Sequence, residues 1–404
     1  MRSKRQNFWI IFILGTLTAL GPFSIDMYLP AFPDIALDLK TDVASVAISL
    51  SSFFVGISLG QLVYGPLLDR FGRKKPLYYG LALYILTSLG CLFIHTIDGL
   101  IVLRFLQALG SCAAAVASMA MVRDFFPVKD SAKVFSLLIL VLGTSPLVAP
   151  TVGGYVTAIF GWHSVFIILS VMAFFMMLAV ALALPDKHKP DASISLKLKP
   201  IFKNYLTVLK IPPFYTYTFT GAIAFCGLFA YVAGSPMVFM DIYQLDAKTF
   251  GWIFAFLSVG FISASQVNSF LLRRFESQQI AMTALIVQTM TAYVFLVFVL
   301  NAWITLPLFI MFLFIVLACV GFTAPNTSAL ALAPFSKYAG SASALMGAVQ
   351  MGLGAITSLL LGFLNTKTSL PMVVTMCISS TLALLIIFIG GKTKASAVHM
   401  LHEL

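Results

Sequence analysis

The sequence predicts an all-α membrane protein with twelve transmembrane helices, arranged as two pseudo-symmetric six-helix halves around a central cavity. The chain of 404 residues is 60% hydrophobic and only 10% charged, whereas soluble globular domains carry about 25% charged residues. Apolar stretches of about 20 residues, the length that a helix needs to cross a hydrocarbon layer, recur along the whole chain. Lipid is therefore the expected solvent for most of the surface.

Short polar segments separate the predicted spans, and one longer polar segment lies near the middle of the chain. The spans are predicted at 9–31, 43–66, 76–95, 98–121, 134–158, 163–184, 212–238, 249–271, 279–300, 303–331, 338–365 and 370–391. The longest polar segment, 185–211, is rich in Lys and Pro and is interpreted as a basic linker on the cytoplasmic side. It would join an N-terminal half at 1–184 to a C-terminal half at 212–391, with a cytoplasmic tail at 392–404.

Basic residues are distributed very unevenly between the two sides of the predicted membrane. Of the 25 Lys and Arg residues, only Lys40, Lys248 and Lys367 fall in the loops on one side, and Arg104 falls inside a span. Because Lys and Arg accumulate in cytoplasmic loops, both termini are expected in the cytoplasm. The net charge of +11 then faces anionic lipid headgroups, so no nucleic-acid partner is expected.

Two charged residues stand alone inside apolar runs. Asp26 is the only charge in 8–28, and Arg104 is the only charge in 100–122. A charge at bilayer depth costs about 2.5–3.5 kcal/mol on insertion scales, so such residues usually face a protein interior or a wet cavity. Both lie at similar predicted depth, so their head groups would meet if spans one and four adjoin. Such a pair either carries a proton or is a static buried ion pair that fixes helix packing.

The loop between spans two and three carries a specific spacing of Gly, Asp and basic residues. It has the form G-x-x-x-D-[RK]-x-G-[RK]-[RK], met by Gly65, Asp69, Arg70, Gly72, Arg73 and Lys74. This spacing resembles the corresponding loop of the major facilitator superfamily, which implies an inner gate latch that breaks on opening. The alternative is a basic loop that only sets topology. A weak repeat follows span eight at 268–276, which supports the division into two halves.

Spans four and five carry two further matches to the superfamily. Arg104 and Gln107 begin an R-x-x-Q-[GA]-x-G element, and in proton-coupled members that Arg is linked to proton transfer. Span five resembles the G-P-x-x-G-G element of antiporter branches through Gly143, Pro146, Pro150, Gly153 and Gly154. Ala149 stands where that element has its first Gly, but the Pro and both terminal Gly residues are present.

Three other stretches narrow the resemblance to one branch. They are 24–33 around Asp26, the end of span four at Arg123 and Asp124, and 325–329 followed by 339–345. Together they resemble the bicyclomycin/chloramphenicol-resistance (Bcr/CflA) drug:proton antiporters of bacterial inner membranes. The resemblance implies proton-coupled multidrug efflux by alternating access, with Asp26 as proton carrier and Arg104 as its partner. It also implies a small amphipathic drug-like substrate, protons and the lipid bilayer as partners, a monomer, and neither cofactor nor metal.

Polar and aromatic residues in the spans supply candidates for a substrate cavity. The candidates are Tyr28, Gln107, Phe225, Phe229, Tyr231, Gln266, Phe322, Asn326 and Gln350. The alternative for the polar ones is that each bridges helices by hydrogen bonds. A dedicated proton-driven exporter of one metabolite, such as a siderophore or sugar, is the second functional hypothesis. An enzyme or receptor is disfavoured because no catalytic constellation or large extramembrane loop is present, and an ATP-driven pump because no phosphate-binding loop is present.

Overall fold

The computed structural model describes residues 4–126, 128–185, 190, 198–335, 339–364 and 368–390. Within those ranges the chain forms fourteen α-helices. They are α1 (Lys4–Asp26), α2 (Phe32–Asp38), α3 (Val43–Phe71), α4 (Lys74–Gly90), α5 (Ile97–Phe125), α6 (Val128–Phe160), α7 (His163–Ala183), α8 (Leu198–Leu209), α9 (Pro212–Pro236), α10 (Ala247–Leu271), α11 (Ser277–Leu300), α12 (Leu306–Leu332), α13 (Ala339–Leu364) and α14 (Leu370–Gly390).

Short helical turns extend three of these helices. Leu29–Ala31 and Cys91–Phe93 form 3₁₀ turns, and Met237–Ile242 continues α9 as a π-helical turn. Over the described ranges, eleven helical segments are long and apolar enough to cross a membrane. The predicted fifth span lies in the 33-residue helix α6, which is not among those eleven. The predicted all-α membrane fold is confirmed.

The first span differs from the prediction of one helix at 9–31. Helix α1 starts earlier, at Lys4, and ends at Asp26, after which Leu29–Ala31 and α2 follow. Pro30 and Pro33 are the second residues of those two following elements. Proline lacks a backbone N–H and suits the first turn of a helix, so the chain restarts at each of them. Asp26 therefore lies at a helix break rather than inside a continuous helix.

The segment 185–211, predicted as a basic linker, includes a helix. It contains α8, whose Tyr205 and Val208 are buried and which contacts α9 and α13. Apolar side chains three residues apart share one face of a helix, so packing stabilises a segment whose overall composition is polar. The rest of the predicted linker, apart from 185, 190, 210 and 211, lies outside the described residues, as does the predicted tail at 392–404.

The chain divides into two compact units. One lies within Met1–Lys197 and Leu245–Ala255, and the other within Leu198–Gln244 and Phe256–Leu404. The first turns of α10 thus pack with the N-terminal unit, which no sequence pattern had indicated. In that unit α5 packs on α3 and α4, and α1 packs on α5 and α6. In the other unit α9 packs on α12, α13 and α14.

Candidate functional site

Arg104 lies at the centre of a buried polar cluster in the first unit. Its side chain is fully buried, yet its Nη2 donates to the carbonyl oxygen of Ser24 at 2.9 Å and its Nη1 to Oε1 of Gln107 at 2.5 Å. The guanidinium carbon also lies 4.5 Å from the ring centroid of Tyr28 and 4.1 Å from that of Phe53. Cation–π contacts of this kind strengthen when they are removed from water. Helices α1, α3 and α5 therefore share one cation.

Hydroxyl groups extend this cluster to α4. The Nε2 of Gln107 donates to Oγ of Ser88 at 2.7 Å, and the hydroxyls of Ser24 and Tyr84 lie 2.5 Å apart. Ser24, Tyr84 and Ser88 were not predicted as site residues. The only available signal was the four-residue spacing of Tyr84 and Ser88, which places both on one face of span three.

Asp26 and Arg104 do not form the expected contact. No ion pair within 4.0 Å joins the two side chains, and Arg104 binds the Ser24 carbonyl instead. Helix α1 ends at Asp26, and the last four carbonyls of a helix lack partners within it. The Ser24 carbonyl is therefore available to Arg104. A cation at that position also interacts favourably with the helix dipole. Arg104 thus satisfies a helix end and does not neutralise a carboxylate.

Asp26 is a buried carboxyl group, only 6% exposed. No described side chain or backbone group donates a hydrogen bond to it or forms an ion pair with it. The next residue, Met27, packs against Gly153 of α6. A Cβ added at Gly153 would lie 2.9 Å from the Cα of Met27, closer than Cβ atoms in real structures come. The span-five motif therefore adjoins the break that carries Asp26.

The same motif contacts the first turns of α10. A Cβ at Gly154 would lie 3.0 Å from the carbonyl carbon of Ala247, and one at Gly251 would lie 2.8 Å from the carbonyl oxygen of Pro150. The hydroxyl of Thr151 donates to the carbonyl oxygen of Gly251 at 3.3 Å. Small residues on both helices permit this close approach. Gly143 and Pro146 lie one to two turns earlier in α6 and are half-buried.

The predicted gating loop forms a compact charged cluster. Arg73 donates through Nη1 to Asp69 Oδ1 at 2.5 Å and through Nε to Asp124 Oδ2 at 2.8 Å. This ties the end of α3, the start of α4 and the end of α5. Burial lowers the pKa of Arg73, but hydrogen bonds and charge from Asp124 and Asp69 outweigh it and leave the pKa raised. Gly72 has φ of 83°, which only glycine adopts readily.

The other motif residues at this end have less defined roles. The guanidinium of Arg70 lies over the Phe71 ring, and its carbon is 5.8 Å from the ring centroid. Lys74 begins α4 and is half-buried, whereas Arg123 is exposed at the end of α5. A Cβ at Gly65 would have nothing within 4 Å. The structure therefore brings Asp69, Arg73 and Asp124 together and leaves these four residues at the edge of that cluster.

The predicted substrate-cavity residues fall in several separate places. Tyr28 and Gln107 are fully buried in the Arg104 cluster, where the Tyr28 hydroxyl also lies 2.7 Å from Oγ of Ser49. Phe225 and Gln350 line a cavity of about 10 Å³ in the second unit. Phe322 lines a different and larger groove. Their shared role in one substrate cavity remains a prediction.

The remaining candidates are mostly buried in the second unit. Phe229 packs 5.5 Å from Phe225 between ring centroids, and Tyr231 is buried. Asn326 donates to Oδ1 of Asn268 at 2.7 Å, which bridges α12 and α10. Gln266 is exposed. Asn326 therefore bridges two helices by a hydrogen bond, which was the alternative to a place in the cavity, and its partner is the side-chain amide of Asn268.

The described residues fold into helices, and eleven of the helical segments among them are long and apolar enough to cross a bilayer, which defines a multi-pass membrane protein. Comparison with known proteins gives its family. The profile of the Major Facilitator Superfamily matches residues 14–358. The chain therefore belongs to the major facilitator superfamily, whose members are transporters rather than enzymes.

Individual relatives support the predicted branch. The chain is 34% identical over 397 residues to the "Uncharacterized MFS-type transporter YdgK" of Bacillus subtilis, covering 97% of each chain. It is 33% identical to the "Bicyclomycin resistance protein homolog" of Haemophilus influenzae, covering 93% of this chain and 94% of that one. It is 26% identical to the "Chloramphenicol resistance protein" of Pseudomonas aeruginosa, covering 92% and 90%. The predicted resemblance to the bicyclomycin/chloramphenicol-resistance group is confirmed.

Solved structures agree on the fold. A bacterial homologue of the human lysosomal transporter Spinster superposes with a TM-score of 0.72 at 13% identity, covering 98% of this chain and 99% of that one. A D-xylose-proton symporter superposes with a TM-score of 0.71 at 13% identity, covering 94% and 97%. At these identities the likeness concerns the fold alone.

Proposed function

We propose that this protein is a proton-coupled antiporter that exports small amphipathic drug-like compounds across a bacterial inner membrane by alternating access. Membership of the superfamily supports transport. The relatives named for bicyclomycin, chloramphenicol and multidrug resistance support an antibiotic-like substrate. Asp26 carries the proton in this proposal.

The observation that carries the proposal is the buried and unpartnered carboxyl group of Asp26. An ionised carboxylate without a partner is very costly in an apolar environment, whereas the protonated group is neutral. The buried environment of Asp26 therefore favours the protonated form of its carboxyl group. Exposure of the same group to water in a second conformation would favour release of the proton.

Arg104 acts in this proposal as a positioning residue rather than as a direct ion-pair partner. Its hydrogen bond to the Ser24 carbonyl fixes the end of α1, two residues before Asp26. Its hydrogen bond to Gln107 holds the guanidinium in place on α5. Movement of α1 relative to α5 would therefore alter the surroundings of Asp26.

The Asp69–Arg73–Asp124 cluster is proposed as the inner latch. It joins three helix ends through charge-assisted hydrogen bonds, which are stronger than neutral ones but break and re-form where water has access. Opening towards the cytoplasm would separate these ends.

The proposed orientation places both termini in the cytoplasm. All five native cysteines are free and buried, so background labelling by a membrane-impermeant maleimide should be low. We expect His95→Cys to be labelled in intact cells and Lys203→Cys to be labelled only after permeabilisation. The reverse pattern would overturn the orientation.

The central test is compound-induced proton release from purified protein in detergent. Wild type would be compared with Asp26→Asn, using chloramphenicol-like, bicyclic-peptide and lipophilic-cation compounds. The matched control is Asp98→Asn, which removes an exposed carboxylate at the start of α5. We expect release by wild type and by the control and none by Asp26→Asn. Undiminished release by Asp26→Asn would remove Asp26 as the proton carrier, and a response to one compound class alone would favour the dedicated-exporter hypothesis.

A further inference from the structure

An apolar groove with a volume of about 410 Å³ lies in the second unit. We call it the α11 groove. Ile280, Ala284 and Val287 line it from one face of α11, and Cys319 and Phe322 line it from α12. Val287 is 42% exposed, so the groove is open along a helix that is apolar enough to cross a membrane.

Two arginines stand beside one end of this groove. Arg273 and Arg274 lie in the turn between α10 and α11, and both are exposed. No described carboxylate lies within 4.0 Å of either guanidinium. Phe275, the next residue, lines the groove. Arg273 is held over the exposed ring of Phe270, 5.2 Å from its centroid.

The one acid in this turn is engaged elsewhere. The carboxylate of Glu276 accepts a hydrogen bond from the backbone at Gln279, and the Gln279 side chain accepts one from the backbone N–H of Glu276. This reciprocal cap satisfies the start of α11. Glu276 therefore serves the helix end and does not pair with the arginines.

The turn between α10 and α11 differs from the gating loop at the position of an acid. The two loops align on Phe71 and Phe275, which places Arg274 at the position of Arg70 and Arg273 at the position of Asp69. In the first loop Asp69 is a partner of Arg73. In the second loop an arginine replaces that acid, and the acid that the turn does contain, Glu276, caps α11, so no carboxylate of the turn pairs with Arg273 or Arg274.

We infer that the α11 groove and the adjacent arginines form a binding site for one anionic phospholipid. The acyl chain would lie in the groove, and the phosphate would bind Arg273 and Arg274. A guanidinium fork matches phosphate geometry, and basic sites between transmembrane helices bind acidic lipid headgroups. A free phosphate would make no use of the apolar lining, and a cationic drug would be repelled by the arginines. This inference does not depend on proton coupling.

Native mass spectrometry of the full-length protein tests the site. The probes are palmitoyl-oleoyl phosphatidylglycerol and the matching phosphatidylethanolamine, which share acyl chains and differ in net charge. We expect preferential phosphatidylglycerol adducts on wild type. The double variant Arg273→Gln/Arg274→Gln should lower that affinity about five-fold per arginine removed. Equal binding of the two lipids by wild type would overturn the inference.

Two further variants separate a built site from general surface charge. Lys203→Gln/Lys210→Gln removes two exposed cations of the same predicted membrane face, and it should leave phosphatidylglycerol binding unchanged. Thr283→Phe places a large ring in the groove from an exposed position on its wall and should abolish the preference without changing charge. Equal losses in the two charge variants, or normal binding by Thr283→Phe, would each contradict the inference. Thermal unfolding of each variant shows whether it is folded.

Discussion

Gly153 packs directly on the backbone of Met27, the residue that follows the buried carboxyl group of Asp26. The contact joins α6 to the break after α1. Because packed interiors deform little, movement of one element must move the other or open a gap. The next residue, Gly154, makes an equally close approach to Ala247 at the start of α10. The span-five motif therefore holds the proposed proton site and α10 at the same time.

The variant Gly153→Ala tests this contact. Its new methyl group would overlap the Met27 backbone, and overpacking of this kind costs about 1–3 kcal/mol. We expect a lower thermal midpoint in detergent and at least a several-fold loss of compound-induced proton release. Gly21→Ala is the control, since a Cβ there meets nothing within 4 Å. An alanine in that helix should stabilise it slightly, by about 0.5–1 kcal/mol. Equal behaviour of the two variants would contradict the prediction.

Arg104→Lys is predicted to be a poor substitute. A lysine ammonium is a point charge and cannot fill the planar space between the Tyr28 and Phe53 rings while donating to both the Ser24 carbonyl and Gln107. Loss of one hydrogen bond from a charged group costs about 1.5–3 kcal/mol.

Thermal unfolding in detergent measures this loss. Arg123→Lys, at an exposed position near the end of the same helix, should change stability by less than about 0.5 kcal/mol. A wild-type midpoint for Arg104→Lys would show that charge alone is required at position 104.

The two partners of Arg73 are predicted to contribute unequally. The side chain of Asp124 is 19% exposed and that of Asp69 is 47% exposed. Solvent screens the more exposed pair, so the coupling energy with Asp69 should lie within the usual surface range of about 0.2–1 kcal/mol. The coupling with Asp124 should be larger.

Double-mutant cycles with Arg73→Gln, Asp69→Asn and Asp124→Asn measure both coupling energies. Raising the salt concentration should lower the Arg73–Asp69 coupling energy more than the Arg73–Asp124 coupling energy. A larger coupling energy for Asp69 would show that the latch depends on the turn itself rather than on the end of α5.

Asp246 is predicted to make the start of α10 sensitive to acid. A hydrogen bond from the Thr249 side chain lowers the pKa of Asp246, and the Thr249 backbone N–H also donates to it at 3.2 Å. A lowered pKa in the folded state means that the ionised group stabilises the fold. That contribution is present above the unfolded pKa of about 3.9 and is lost as the pH falls through the lower folded value.

Comparison of Asp246→Asn with Asp246→Ala tests this role. Asparagine retains a hydrogen-bond acceptor at the helix start, whereas alanine removes it at a typical cost of about 0.5–2 kcal/mol. We expect wild type to lose more stability than Asp246→Asn when the pH is lowered from 6 to 3. If wild type and Asp246→Asn lost the same stability at low pH, other carboxylates would be responsible for the loss.

The sequence and the structure agree best where chain length and composition decide the outcome. Apolar runs predict helices because no other segment hides its backbone polar groups from hydrocarbon. The spacing in 65–75 predicts the family, and Arg73 lies where that motif implies an ionic tie. Helix α8 was not predicted because the segment was judged by its overall polar composition, although Tyr205 and Val208 recur at the spacing of one helix face, which packs on α9 and α13.

The sequence by itself determined that Asp26 and Arg104 would be ionisable groups inside a membrane protein, since each stands alone in an apolar run. Only the tertiary structure decided their partners. The break after Asp26 leaves the Ser24 carbonyl without a helical donor, and Arg104 binds that carbonyl. Contacts of this kind join residues that are 80 positions apart, and they depend on where a helix ends and which helix lies beside it. The local spacing of residues in the sequence indicates neither where the helix ends nor which helix packs beside it.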